Sequence, residues 1–188
     1  MDNTNHGWAE TGLHFFGIVA SLPSSAKPIS ARLENATFRG ASIEFYNCMQ
    51  LSMSNVHVSW TNRTGVKLSE AHTVALTNVT VSHCGNRGAA VGGLDLLKVT
   101  ALQLTNVSID NNTGKFGGGL RVRSGTNDVS GANVSINNNQ ASVAGGSIFL
   151  DGDFLSESVL DFLRSDNVSI SGGQAVCYGP DVATSPVA

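Results

Sequence analysis

The chain is written in short runs where apolar and polar residues alternate, separated by corners rich in Asn and Gly. One run recurs six times: Asn35-Ala-Thr-Phe38, Asn55-Val-His-Val58, Asn78-Val-Thr-Val81, Asn106-Val-Ser-Ile109, Asn133-Val-Ser-Ile136 and Asn167-Val-Ser-Ile170. A Gly entering a second run follows each of the first five, with apolar pairs Ile43/Phe45, Val66/Leu68, Leu94/Leu96, Leu120/Val122 and Ile148/Leu150. A third short run often opens the next unit, as in Leu51/Met53, Val74/Leu76 and Leu102/Leu104. Period-two alternation sends one face inward and one outward, so each run predicts a short strand buried on one side.

Strands this short cannot bury their inner faces alone. The steps from Asn35 to Asn55, Asn78, Asn106, Asn133 and Asn167 are 20, 23, 28, 27 and 34 residues. A repeat that keeps its strands and varies its loops predicts stacked coils, each covering the apolar face of its neighbour. The expected fold is all-β, a single-stranded parallel β-helix of about six coils over residues 29–182. Residues 1–28 are then an N-terminal segment or first partial coil, and 183–188 a tail. Asn35, Asn55, Asn78, Asn106, Asn133 and Asn167 are expected to form a structural ladder at one corner. Asn tolerates left-handed backbone, and stacked amides bond along a column. Gly marks the opposite corner. The longest step contains Asp151–Arg164, whose apolar positions suit either a helical turn or an extra strand.

Composition narrows the function classes. Charged residues make up only 13% of the chain against 41% hydrophobic and 21 Gly, which disfavours helix bundles and charge-rich disorder. The net charge of −3 comes with no basic run, so a surface that tracks nucleic-acid phosphates is excluded. Arg121 and Arg123 read as two solvated strand residues. No apolar run is long enough to span a bilayer. Leu13–Leu22 is apolar, but Asp2 and Glu10 precede it without Lys or Arg. It reads as a buried strand pair broken at Gly17 rather than a secretory signal. Cys48, Cys84 and Cys177 lack zinc-site spacing and read as small buried apolar residues.

At Gly117-Gly-Gly-Leu120 and Gly145-Gly-Ser-Ile148 the chain resembles the polymorphic outer-membrane protein repeats of chlamydiae. Ile109-Asp-Asn-Asn112 and Ile136-Asn-Asn-Asn139 resemble the second motif of those repeats with Ile in place of Phe, and Gly179-Pro-Asp181 resembles their close. The early copies lack the double Gly, and no membrane-barrel segment follows. More broadly the chain is similar to pectin-lyase-like right-handed β-helices. The resemblance implies a right-handed coil. It also implies an extracellular or cell-surface repeat scaffold, without catalysis, for adhesion or contact with polysaccharide or surface glycan.

The alternative is a carbohydrate-active lyase or hydrolase, or a fragment of one. Hydrolases need an acid and a base flanking the bond, and lyases often use Ca²⁺ with a basic residue. Asp95, Asp110, Asp151, Asp153, Arg121 and Arg123 are the groups available for such work. Asp151 and Asp153 are the candidate Ca²⁺ ligands, although Asp-Gly-Asp is also an ordinary turn, which is the preferred reading. No other cofactor is implied. The motif set of β-helix galacturonases is absent. His57, His72 and His83 lie in successive coils but at different offsets from the anchor, so they form no metal column. Of the seven Asn-x-Ser/Thr sequons, five are the anchor Asn itself; Asn62 and Asn111 are the candidate glycosylation sites.

Overall fold

The structure, a computed structural model, describes residues 13–14, 18–20, 29–152 and 156–185. Two parallel sheets of seven strands run the length of the molecule. The first holds the long strands Ile29–Arg39, Cys48–Ser59, Thr73–Ser82, Ala101–Asp110 and Asp128–Asn137, flanked by Leu13–His14 and Val168–Ser171. The second holds the short strands Ile18–Ala20, Ile43–Tyr46, Val66–Ser69, Leu94–Leu97, Leu120–Arg123, Ile148–Asp151 and Val182–Thr184. A third sheet, Thr113–Phe116, Gln140–Ala144 and Gln174–Ala175, joins the later coils only. The chain is thus a stack of parallel coils. The seventh strand of each large sheet comes from before residue 29, in the segment set apart as a partial coil.

Register gives the core its form. Val56, Val79, Val107 and Val134 are paired in sequence across four coils, as are Val58, Val81, Ile109 and Ile136. In the short-strand sheet Ile43, Val66, Leu94, Leu120 and Ile148 make one inner column. All of these are buried in one continuous apolar core. A Leu of this kind contributes about 1.5–3 kcal/mol when fully buried.

The expected separate strands on either side of the anchor Asn are one continuous strand. The Asn is a single left-handed residue inside it, with φ near +53° at Asn55, Asn78 and Asn106. One such residue shifts the alternation by one place and leaves the ladder of backbone bonds intact. Met53 and Val56 therefore both point inward. Along this column Asn55 Nδ2 donates to Asn35 Oδ1 (3.0 Å), Asn78 to Asn55 (2.9 Å), Asn106 to Asn78 (3.0 Å) and Asn133 to Asn106 (2.9 Å). The side chains are exposed rather than buried. Asn167 does not continue the column: it is absent from the left-handed residues and follows a helix instead of a strand.

A second Asn pair is interior and was not anticipated. Asn112 and Asn139 are fully buried, six residues after Asn106 and Asn133. Asn112 Oδ1 accepts from the Cys84 N–H (2.9 Å), and Asn139 Oδ1 accepts from the Asn112 N–H (2.9 Å). Their Nδ2 groups donate to Val81 O and Ile109 O. These amides satisfy backbone groups at a corner that water cannot reach.

The double glycines have two separate causes. Gly117 and Gly145 are left-handed, at φ 72° and 66°. Gly92 and Gly118 are not, but a Cβ on Gly92 would run into Gly118 O and one on Gly118 into Gly146 O. Backbone stacks on backbone there.

The insertion at 151–164 resolves as a helix, Glu157–Arg164, capped by Ser156, whose Oγ accepts from Val159 N–H. Asp153 lies outside the described residues. The helix replaces the first half of a strand and covers the core. Phe162 fills the space over Gly131, where the preceding coils carry Leu104 and Leu76. Ser158 Oγ takes the N–H of Val129 (2.9 Å) and donates to its carbonyl (3.0 Å), serving the strand edge that has lost its neighbour.

All three cysteines are free thiols; Cys48 and Cys84 are buried as expected, while Cys177 is exposed. Burial pushes the Cys84 thiol up to about 11 and the Cys48 thiol up as well.

Asn106→Ala should lower stability by about 2 kcal/mol, mostly from the left-handed backbone. Asn106→Gly should lose less than half as much. Equal urea midpoints for the two variants would show that the amide ladder, not the backbone, carries the effect. The Cys84 shift has a sign. Its folded value is raised, so the stabilisation is present below the unfolded value of 9.0 and is lost as pH rises toward about 11. The difference in unfolding free energy between the parent and Cys84→Ala should therefore fall across that window, by about 1.4 kcal/mol per pH unit.

Candidate functional site

Apart from the helix inserted between Asp151 and Val168, the coils lengthen at the corner between the end of a long strand and the start of a short one. The connecting residues grow from 40–42 to 60–65 and then to 83–93. The two larger loops stack and stand up beside the outer face of the short-strand sheet. Asn86 organises them: its Oδ1 accepts from Gly88 N–H (2.7 Å) and Ala89 N–H (3.0 Å), and its Nδ2 donates to Asn62 O (2.7 Å). Ala89 O in turn accepts from Lys115 N–H (2.7 Å), which ties the wall to the next coil.

This wall and the sheet enclose a groove of about 530 Å³. Its floor is a row of outward residues set by register: Glu44, Lys67, Asp95 and Arg121, one from each successive coil. Asn62, Arg63, Thr64 and the 86–90 loop form the side, and Arg123 lies two residues beyond Arg121. The row ends at Phe149, paired with Arg121 and buried with Ala144 and Ala183 in a small separate apolar cluster against which the half-buried Phe116 packs.

Charges alternate along the floor. Arg121 makes a two-pronged bond to Asp95, Nε to Oδ1 and Nη2 to Oδ2, both 3.0 Å. Asp95 is 4% and Arg121 9% exposed, so this pair is shielded from water although it lies on the outside of the sheet. The reading of Arg121 as a solvated strand residue is corrected: it is buried between its register neighbours Asp95 and Phe149, and a buried guanidinium needs a partner. Arg123 Nε approaches Asp95 at 3.5 Å but makes no hydrogen bond. Glu44 accepts from the Tyr46 hydroxyl (2.9 Å) and lies 3.9 Å from Lys67 Nζ, which sits over the Tyr46 ring.

The residues singled out in the sequence are distributed as follows. Asp95, Arg121 and Arg123 meet in the groove. Asp151 is at its edge, 4.0 Å from Arg121 Nη1. Asp110 is elsewhere, at the end of a long strand, bonded by Ser108 and Asn111. Among the described residues no group of three or more His, Cys, Asp and Glu could hold a metal ion. Asn62 is exposed and lines the groove, so a glycan on it would occupy that space. Asn111 is exposed and left-handed. The Nδ2 groups of Asn78, Asn106 and Asn133 are engaged in the ladder. Glu44 and Lys67 were missed. Their signal was present in the alternation, since each sits between two inward residues of a short strand.

Among the described residues no helix is long and apolar enough to cross a membrane. The family described as right handed beta helix region matches residues 41–177. No curated protein and no solved structure matches the chain.

Asp95→Ala should destabilise the protein by about 3 kcal/mol, because it strands Arg121 without its carboxylate. Adding Arg121→Met should recover most of that loss in thermal or urea unfolding. If the double variant is no more stable than the single one, the cost lies in packing and not in an unpaired charge.

Proposed function

The chain belongs to the right-handed β-helix family, and we propose that it is a non-catalytic scaffold that contacts glycans through the groove on its short-strand sheet. The observation that carries this reading is the charge set of the groove. Arg63, Lys67, Arg121 and Arg123 line it with Glu44 and Asp95, and Asp151 lies at its edge 4.0 Å from Arg121, so four cations meet three carboxylates on a chain whose net charge is negative. A local cationic excess favours sugars that bear a carboxylate or sulfate. Arg123 is the group best placed to meet one: Arg121 is consumed by the two-pronged bond to Asp95, while Arg123 approaches Asp95 only through its buried Nε and keeps more of its side chain exposed. The polar wall of Asn62, Thr64 and Asn86 supplies the neutral donors and acceptors that sugar hydroxyls need.

Binding is favoured over cleavage on the same geometry. A hydrolase needs one carboxyl free to give a proton and another free to act as base or nucleophile. Here Asp95 is held in a two-pronged ion pair, and Glu44 accepts from Tyr46 beside Lys67. The likeness to the chlamydial repeats at Gly117–Leu120 and Gly145–Ile148 supports an extracellular or cell-surface setting.

The test compares polygalacturonate with its methyl-esterified form, which has the same backbone without the charge, each with and without Ca²⁺. The parent should retain the charged polymer and lose it as salt is raised. Arg123→Gln should weaken that binding about tenfold and leave the esterified polymer unaffected. Equal binding of the two polymers would overturn the anionic preference. Binding of neither would overturn the glycan reading. Release of new chain ends that disappears in Asp95→Asn would overturn the non-catalytic one.

A further inference from the structure

Three stretches of the chain read Asn-Val-Ser-Ile, beginning at Asn106, Asn133 and Asn167, and all three satisfy the Asn-x-Ser/Thr rule for N-linked glycans. The fold treats them differently. Asn106 and Asn133 are left-handed residues inside long strands, and their Nδ2 groups donate along the ladder, to Asn78 Oδ1 (3.0 Å) and Asn106 Oδ1 (2.9 Å). Neighbouring amides in that column stand one strand spacing apart, about 4.8 Å. A sugar on either nitrogen would have to pass between the amides above and below it.

Asn167 holds the equivalent place one coil on, since Val168 pairs with Val134. The helix Glu157–Arg164 arrives there in place of the first half of a strand, and the chain enters the corner through a turn. The Val168 N–H donates to Ser165 O (3.0 Å), which puts Asp166 and Asn167 at the two central positions of that turn. The backbone of Asn167 is held, its N–H by Ser165 Oγ (3.2 Å) and its carbonyl by the Val134 N–H (2.9 Å). Its side chain is exposed and makes no hydrogen bond among the described residues. Ser169, the hydroxyl residue of the rule, is exposed as well. At Asn111, by contrast, Nδ2 is taken by Asp110 Oδ1 (2.7 Å).

We propose that Asn167 is an N-glycan attachment site, created by the helix insertion, which takes this Asn out of the ladder. The transfer joins Nδ2 to C1 of a sugar activated as a diphosphate ester. The C1–O bond to the phosphate breaks, the phosphate leaves with that electron pair, and Nδ2 gives up one proton to a base of the transferase. Asn167 brings a free amide to this step, whereas Asn106 and Asn133 would have to leave their ladder bonds. Asn167 does not line the groove, so a glycan there would not fill it as one on Asn62 would. Bulky hydrated sugar belongs on such a surface corner. The modification rests on the extracellular reading for its occurrence in the cell.

The test directs the whole chain into the secretory route of a eukaryotic host with an added leader. The route is then supplied, so a failure counts against the site and not against the extracellular reading. Enzymatic release of glycans in heavy-oxygen water marks each occupied Asn as a labelled Asp, and peptide mapping of the secreted protein reads the marks. Asn167 should be marked, and Asn106 and Asn133 should remain Asn. Ser169→Ala, which leaves the amide in place, should lower the intact mass by one glycan. The urea midpoint should be the same before and after release of the sugar from Asn167, because no ladder bond depends on that amide. An unmarked Asn167 overturns the proposal. Marks on Asn106 and Asn133 as full as on Asn167 overturn it too, since the helix would then select nothing.

Discussion

Coil-to-coil register is the constraint on which the rest of the molecule depends. Side chains on a strand alternate with period two, so a slip of one residue between coils would expose Val56, Val79, Val107 and Val134 together and bury their polar neighbours. No single contact holds a coil in place. The inner columns do so collectively, and every corner must reach the next strand in phase. The corners solve this with left-handed residues at fixed positions. One column runs from Asn35 to Asn133, a second from Gly40 to Gly172, and a third through Asn47, Glu70, Lys98 and Gly125. Each turns the chain within one residue and lets backbone bonding resume at once.

The third column shows how far the backbone demand outweighs side-chain preference. Glu70 and Lys98 are left-handed and pair with each other at 3.1 Å, in a solvent-exposed contact worth little by itself. They are tolerated because the coils above and below fix the turn. Strain that an isolated hairpin could not sustain is spread over a stack in which each coil is a template for the next.

The fold was legible because its rule is local and repeated. The Asn-Val-Ser-Ile run names a left-handed residue followed by two inward positions, and six copies in one chain expose the coil. What was not legible depends on the third dimension. Asn112 and Asn106 look alike in sequence, yet one is fully buried and the other lies on the surface, because the strand between them changes which way the chain faces. Arg121 looked solvated because its strand alternates. Its burial comes from Asp95 and Phe149 in the coils on either side, which its own strand does not reveal. Asn167 matched the motif but followed a helix, and without a preceding strand there is no bend for a left-handed residue to make. The helix itself appeared only as an ambiguous apolar insertion, since its purpose, covering a core whose next strand is missing, is not a property of its own residues.

The groove follows from the same economy of form. Inner columns cannot vary without loss of packing, so length is added at corners, once as the helix between Asp151 and Val168. Growth at the corner between the long and short strands raises a wall beside one outer face. Residues of that face then pass from solvent into a partly dry setting, where charge matters more. Asp95 and Arg121 would be an ordinary surface pair on an open sheet. Beside the wall they are a fixed two-pronged pair, and a row of alternating charges one coil apart becomes a ruler along the axis. A ligand that lies along this row meets one charged position per coil. Its repeat is then measured against the spacing of parallel strands, about 4.8 Å. On the proposed glycan-contact reading, this spacing favours an extended polymer, which offers one repeat per coil, over a single small molecule.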